Sequence, residues 1–598
     1  MARYRPLGLL TAATVALCLT GFSSPALDLL EFSVTGGDKG LEREVRAASG
    51  LLAAQSDKRT EALDLFADAR AEYGRLLAAL YALGHYGPVI HVLIDGREAA
   101  GIAPLDAPAQ ISRITVTVEP GPEFAFSRAS IAPLAVRTEL PAGFAVGQVA
   151  GSEVIKQAAQ TGVDGWRALG FAKAGVGGQD LVADHENSTL SAAIEMTPGP
   201  RLRFGRLTIN GTERLRPERA RAIAGLPEGA RFDPAEVARA AERLRRSGVF
   251  SSVTLSEDAA ITPPDLLGLT ADLIEAKPRR YSFGAEIASY DGIVLSGSWL
   301  HRNLLGGAER LQISGEIAGI AAQTGGTDYA LDITLDRPAT PGRDTDLNLG
   351  LSLSQVNDVD TTAQIVDVSA GFTHYFGDPL QGQIALAFSA SQGRDAAGSY
   401  AYRTLELPLG LTWDRRDSTT DPTRLFYLDL GAKPFIGIGY TDNGAQLTFD
   451  ARGYKGLGAD NRVVLAARLQ GGAVVGADLL DTPRDDLFYS GGGGTVRGQP
   501  YQSLGVTVDD GGTAITIGGN RFVAASLEAR VKVSEKLGLV GFVDMGLVGN
   551  GSSSDWQAGA GIGVRYATGI GPVRLDLALP VHGAGRGVQV YVGLGQAF

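Results

Sequence analysis

Side chains that carry covalent chemistry are scattered along this chain. The six histidines stand at positions 85, 91, 185, 301, 374 and 582, and no two have the His-Glu-x-x-His spacing that sets metal ligands on one helix face. No serine lies in Gly-x-Ser-x-Gly, and neither a P-loop nor a Gly-x-Gly-x-x-Gly turn is present. The sequence therefore predicts no enzyme, no cofactor and no metal site. What it does offer is charge pairing. Val496, Arg497 and Gly498 follow the glycine run Gly491–Gly494. Further on, Val543, Met545 and Leu547 alternate with Phe542, Asp544 and Gly546, so a strand there turns the Asp544 carboxylate away from an apolar row. An arginine on a Gly-rich loop can reach such a carboxylate and hold it through two parallel hydrogen bonds. The expected role is structural, fixing the loop against a wall; the alternative is a solvated charge in a long loop. Glu528, Arg530, Arg574 and Asp576 fall on faces that could join the same network.

The elements that must position this pair follow from composition and pattern. The 598 residues are too many for one ordinary core. The net charge of -12 argues against a nucleic-acid partner, and 44% hydrophobic residues exclude a disordered chain. Glycine, at 80 residues, is nearly twice the usual share of roughly 7%. Cys18 is the only cysteine, so no disulfide is expected. Residues 1–26 read as a secretory signal: Arg3 and Arg5, an apolar Leu7–Thr20, then Ser24-Pro25-Ala26. An uncleaved anchor is the alternative, but the apolar run is short for one, and no later stretch has 18 or more apolar residues.

The pattern changes near Pro278. Before it, three small α+β units follow one another at 27–119, 120–200 and 201–278. The clearest has a strand at Arg203–Asn210, helices at Pro217–Ala224 and after Asp233, and strands at Phe250–Ser256 and Leu267–Glu275. The first predicts helices over Leu41–Ala54 and Thr60–Leu83 between strands at Leu29–Val34, Val89–Ile94 and Ile111–Val118. The second predicts a strand at Phe126–Ile131, a helix over Ser152–Leu169 and a strand at Ser188–Met196. Each has a helix that stops at a glycine followed closely by an aromatic residue: Gly84/Tyr86, Gly170/Phe171 and Gly248/Phe250.

Residues 279–598 alternate strictly. Leu347, Leu349, Leu351 and Leu353 form one row; Ile384, Leu386 and Phe388 another; Leu405, Leu407, Leu409, Leu411 and Trp413 a third. One apolar face per strand fits a sandwich or a membrane barrel. Segment length, the lack of covering helices and the export signal favour the barrel. Sixteen segments, at roughly twenty residues per strand and loop, give the even count of a closed bacterial barrel.

At this point the motifs match a known pattern. Phe488-Tyr489-Ser490-Gly491-Gly492 followed by Thr495-Val496-Arg497-Gly498 resembles the Val-Arg-Gly-aromatic loop of the BamA/TamA superfamily, with Gln499 in the aromatic position. Tyr501-Gln502-Ser503-Leu504-Gly505, Asn303-Leu304-Leu305-Gly306, Trp413-Asp414-Arg415-Arg416-Asp417, Phe542-Val543-Asp544-Met545-Gly546 and Gly571-Pro572-Val573-Arg574-Leu575-Asp576 support it, as does Phe598. The resemblance, closest to TamA-like members, implies a membrane all-β barrel of 16 antiparallel strands preceded by three POTRA domains. It implies an outer-membrane location with the POTRA domains in the periplasm, and assembly or translocation of client outer-membrane proteins without ATP. It also implies a TamB-like inner-membrane-anchored partner, a loop folded into the lumen, and a terminal aromatic, Phe598, read by the assembly machinery. A two-partner-secretion-type polypeptide transporter is the alternative; two POTRA units and a plug helix would mark it. A diffusion porin would have no use for the three units.

Closure adds one expectation. The first strand, Arg280–Ser289, should pair with the last, Val588–Phe598, because an open edge in lipid leaves backbone groups unsatisfied. Gly284, Gly593 and Gly595 should make that seam the weakest pairing, with Ala285 near Val592. Val588, Val590, Val592, Leu594 and Phe598 should share its outward face, a row that Gln596 interrupts.

Overall fold

The computed structural model describes residues 29–598 except Thr60, 289–291, 323–325, 358–360 and Ile570. The signal-peptide reading of residues 1–26 lies outside these. The chain falls into two compact units. The first is residues up to Arg203, with the short stretches Ala230–Pro234 and Pro263–Leu266; the second is the remainder.

The first unit carries two α+β domains. Strands Leu29–Val34, Arg113–Glu119, Val89–Ile94 and Arg97–Glu98 lie in that order in one sheet. The helix predicted over Leu41–Ala54 is in fact two, Lys39–Ala47 and Gly50–Ser56. Ser49 divides them: its hydroxyl accepts from the Leu52 N–H at 3.1 Å, an N-cap that starts a new helix, and it also donates to the buried Glu72 carboxylate. The next domain has one helix, Ser152–Ala168, against strands Ala125–Ala132, Thr189–Thr197 and Gly175–Asp184. The sequence reading missed Gly175–Asp184, an edge strand with little apolar alternation, so the two-helix plan does not recur in this domain.

The second unit opens with strands Arg203–Asn210, Leu266–Glu275 and Phe250–Thr262, in that sheet order, and helices Pro217–Ala224 and Pro234–Arg246. In all three domains the glycine after the long helix has a left-handed φ: +85° at Gly84, +95° at Gly170 and +69° at Gly248. That conformation ends a helix at little cost only when no Cβ is present.

From Arg279 onward, the described residues form sixteen antiparallel strands that close into a barrel. The eighth is broken into Gly398–Glu406 and Leu409–Asp414, both pairing with the same two neighbours. Pro408 causes the break, since it has no N–H to give to a ladder. The predicted apolar rows point outward: Leu349, Leu386, Leu407 and Trp413 are all exposed on the barrel's outer face. No helix among the described residues is long and apolar enough to cross a membrane; the strands do the crossing.

Candidate functional site

Residues 476–520 connect the strands Val463–Val475 and Arg521–Lys532 at the end of the barrel opposite the third α+β domain. This loop folds inward. It carries a hairpin, Val506–Asp510 with Thr513–Ile517, whose apolar side chains join Leu487, Leu504, Phe522 and Val548 in a core of their own. That core anchors the base of the loop and leaves its tip to cross the lumen.

At the tip Arg497 is 3% exposed. Its Nε donates to Asp544 Oδ2 at 2.7 Å, its Nη2 to Oδ1 at 3.0 Å, and its own backbone N–H to Oδ2 at 3.1 Å. Nη1 reaches Glu528 at 2.7 Å and Asp576 at 3.3 Å. The guanidinium lies over the Phe542 ring, 3.5 Å from its centroid. Arg530 pairs with Glu528 at 2.8 Å, and Arg565 with Asp576. Three guanidinium groups thus face three carboxylates on four strands and one loop, which balances charge where water is excluded. Four of the residues named from sequence (Glu528, Arg530, Asp544 and Asp576) meet Arg497's network. Arg565 was missed, although its strand shows the signal: Ile562, Val564 and Tyr566 alternate outward around it.

The neighbours of Arg497 fit the loop to the wall. Val496 is fully buried. Gly498 has φ +93°, and a Cβ there would sit 2.8 Å from the Leu579 carbonyl oxygen. Its N–H donates to Tyr591 Oη at 3.1 Å and its carbonyl accepts from Gln589 Nε2 at 2.8 Å, so the last strand is tied to the loop tip. Gln499, in the position of the expected aromatic, is fully buried and donates to the Ala558 and His582 carbonyls at 2.8 and 2.7 Å. Its Oε1 accepts from the Gly585 N–H at 2.8 Å.

The first strand does pair with the last, as expected, but in another register and with other bounds. The first strand runs Arg279–Ala288 and the last only Gln589–Leu594. Among the described residues they pair at Ile287 with Val592 and Ala288 with Tyr591, and nothing from Glu286 back to Arg279 pairs with the last strand. Ala285 is therefore not the partner of Val592. Gly284 pairs with Ser296 on the second strand and Gly593 with Arg574 on the fifteenth, and neither lies in a first-to-last pair. Gly595 lies beyond the last strand at φ +88°, where the chain turns away. Its N–H goes to the Pro572 carbonyl at 2.7 Å, and the Gln596 side chain to Asp421 at 2.9 Å.

Phe598 consequently does not share the outward row of Val588 and Leu594. It is buried in the lumen against Tyr454 and Ala466, with the Arg530 guanidinium 5.4 Å from its ring and bonded to its carbonyl at 2.9 Å. The turn at Gly595 moves it there. Arg574 also leaves the Arg497 network: it bonds Glu286 of the first strand at 2.7 Å. Glu286 was missed, though Tyr281, Phe283 and Ile287 alternate outward beside it.

At the barrel's other end, the third α+β domain grips the strand turns. Arg243 forms a fork with Asp344 at 2.6 and 3.0 Å, and Arg219 donates to the Gly307 and Pro338 carbonyls at 3.2 and 2.6 Å. Burial pushes the Asp344 carboxyl up, but the Arg243 hydrogen bonds and charge outweigh this and hold it below the usual carboxylate range. Within that domain, burial likewise acts on Glu275, yet three backbone N–H donors from Leu215, Arg214 and Glu213 prevail and lower its pKa.

Comparison with known proteins fits this geometry. Residues 303–598 match the Omp85 superfamily domain, and residues 202–273 match the POTRA family described as a surface antigen variable number repeat. The outer membrane protein assembly factor BamA of Nitratidesulfovibrio vulgaris is 25% identical over 417 residues, 64% of this chain and 49% of that protein. The chain thus spans about half the length of the curated relative it matches. BamA from Haemophilus ducreyi lacking POTRA domains 1-3 superposes with a TM-score of 0.61 at 17% identity, covering 79% of this chain and 100% of that one. CdiB from Acinetobacter baumannii does so at 0.52 and 11% identity, covering 80% and 90%. At such identities these structures establish the shared fold. The domains and the barrel together set the protein in the outer membrane, its POTRA domains in the periplasm. With its folded-in Val-Arg-Gly loop and a POTRA match just before it, the barrel region of this chain, residues 303–598, belongs to the Omp85 superfamily, the superfamily of BamA.

Proposed function

We propose that this protein assembles or translocates client outer-membrane proteins without ATP, autotransporter-like chains among them, by offering its barrel seam as a template. The observation that carries the reading is that the ladder between the first and last strands ends, on its periplasmic side, at Ile287 and Val592. Arg279–Glu286 have no ladder partner on the last strand, so their backbone groups on that side are open to a client strand. Each unsatisfied backbone group in lipid costs several kcal/mol, roughly, so an incoming strand is drawn to such an edge. Gly175–Asp184 is the outer strand of its three-stranded POTRA sheet, which fits recruitment by strand addition. A TamB-like inner-membrane-anchored protein is the proposed partner across the periplasm. No catalytic step is assigned.

The experiment is to lock the seam. Cysteines at Ile287 and Val592 face each other in the ladder. Oxidation should stop insertion of an unfolded eight-stranded outer-membrane barrel protein into liposomes, and reduction should restore it. Undiminished insertion by the fully crosslinked protein would overturn the template reading. Undiminished passage of a polypeptide through the crosslinked barrel would favour a secretion transporter of the two-partner type.

A further inference from the structure

We propose that Glu286 and Arg574 form an ionic latch across the seam, and that Gly593 is the gap through which the latch is made. The idea rests on the template reading above and adds what holds the seam shut where its ladder has run out.

The ladder between the first and last strands stops at Ile287 and Val592. Glu286 is the next residue toward the periplasm, and continuing the register sets it opposite Gly593. Arg574 pairs with Gly593 in the ladder of the last two strands. Its guanidinium crosses over the last strand and donates from Nη2 to Glu286 Oε1 at 2.7 Å. One side chain therefore links the fifteenth strand to the first, past the sixteenth. The crossing needs an empty position beneath it. A Cβ on residue 593 would lie 2.9 Å from Arg574 Nε and 3.2 Å from Nη2. In this setting Gly593 is the site of a close approach, and its role is space.

The chemistry suits a catch that opens. Glu286 is 42% exposed and Arg574 13% exposed at the side chain, so the pair is half-solvated. Such pairs are weak, reversible and screened by salt. The charges buried around Arg497 are instead enclosed and mutually paired, and suit a permanent brace. The Arg574 Nη1 also approaches the Gln596 carbonyl at 3.4 Å, so the latch touches the segment that turns away from the wall after Leu594.

Amide hydrogen exchange in the full-length protein in nanodiscs reads seam opening directly. Glu286→Gln should speed exchange in 280–288 and 589–594 by about two- to fivefold, the range of a partly exposed ion pair, with no change in 445–455. Gly593→Val should do the same, and the double exchange Glu286→Arg with Arg574→Glu should return the rate to that of the parent. Raising salt should speed the parent's seam exchange and leave the Glu286→Gln variant's unchanged. Parent-like exchange in Glu286→Gln at every salt concentration would overturn the latch. If that occurs while the 287–592 crosslink still blocks insertion, the template reading survives the latch. If the crosslinked protein inserts clients at full rate, the template reading fails whatever the exchange shows.

Discussion

Arg497 and Asp544 meet fork to fork, with Nε 2.7 Å from Oδ2 and Nη2 3.0 Å from Oδ1, and the Arg497 backbone N–H adds a third bond to the same carboxylate. One carboxylate thus fixes both the side chain and the main chain of the loop tip, and the loop cannot rotate about that point.

Arg497→Ala should destabilise the folded loop and barrel by about 3–5 kcal/mol, because it strands buried carboxylates that had a shared cation. Arg497→Lys should recover little, since an ammonium cannot span both Asp544 oxygens and reach Glu528 at once. Heat-modifiable gel mobility and client insertion measure the effect. Parent-like behaviour of the alanine variant in both would show that the pair bears no weight.

Gln499→Leu should cost about 1–3 kcal/mol by removing the partners of the Ala558 and His582 carbonyls and the Gly585 N–H. The loss should show as a lower unfolding temperature, with exchange rising in the strands around 558 and 582. An unchanged melting temperature would mean that water takes over those three groups.

The Glu275 carboxylate accepts three backbone N–H bonds at 2.9 Å and an Arg214 bond at 3.0 Å. Its pKa is lower in the folded domain than in the unfolded chain. The stabilisation is therefore fully present above the unfolded value of about 4.3 and is lost as pH falls through the lower folded value. Glu275→Gln should raise amide exchange in residues 213–215 at pH 7. Acidification through that window should bring parent and variant together. A gap that stays constant down to the acid limit would rule out this linkage.

Deleting residues 27–200 should leave a barrel that still inserts, since its strands satisfy one another and its third domain keeps the Arg243–Asp344 fork. Client assembly should fall, because two of the three POTRA sheets, the outer strand Gly175–Asp184 among them, are gone. Full assembly by the truncated protein would assign recruitment to the third domain or to the barrel.

Much of the site could be read from residue order. Alternate side chains in a strand point to opposite faces whatever the neighbouring strands are. The apolar rows around Asp544, Glu528 and Asp576 therefore assigned those charges to the lumenal face before any pairing was known. The glycine run before Arg497 gave the loop its reach. The helix break at Ser49 and the strand break at Pro408 were also present locally, as a capping hydroxyl and a missing N–H. They were overlooked because the surrounding apolar pattern runs on through both.

What the sequence by itself determined was the face of each side chain within a continuing strand and the closing of a barrel, since periodicity acts over a few residues. Only the tertiary structure decided the partners. Arg565 joins Asp576 while Arg574 crosses to Glu286, although both arginines sit on lumenal faces of adjacent strands. Strand register and the room above Gly593 make that choice. The same holds for Phe598: its place in the alternation points outward, but the turn at Gly595 carries it to Tyr454 and Arg530 inside. Periodicity fixes a side chain's direction only while the strand continues, and where the strand ends is set by contacts with residues far away in the chain.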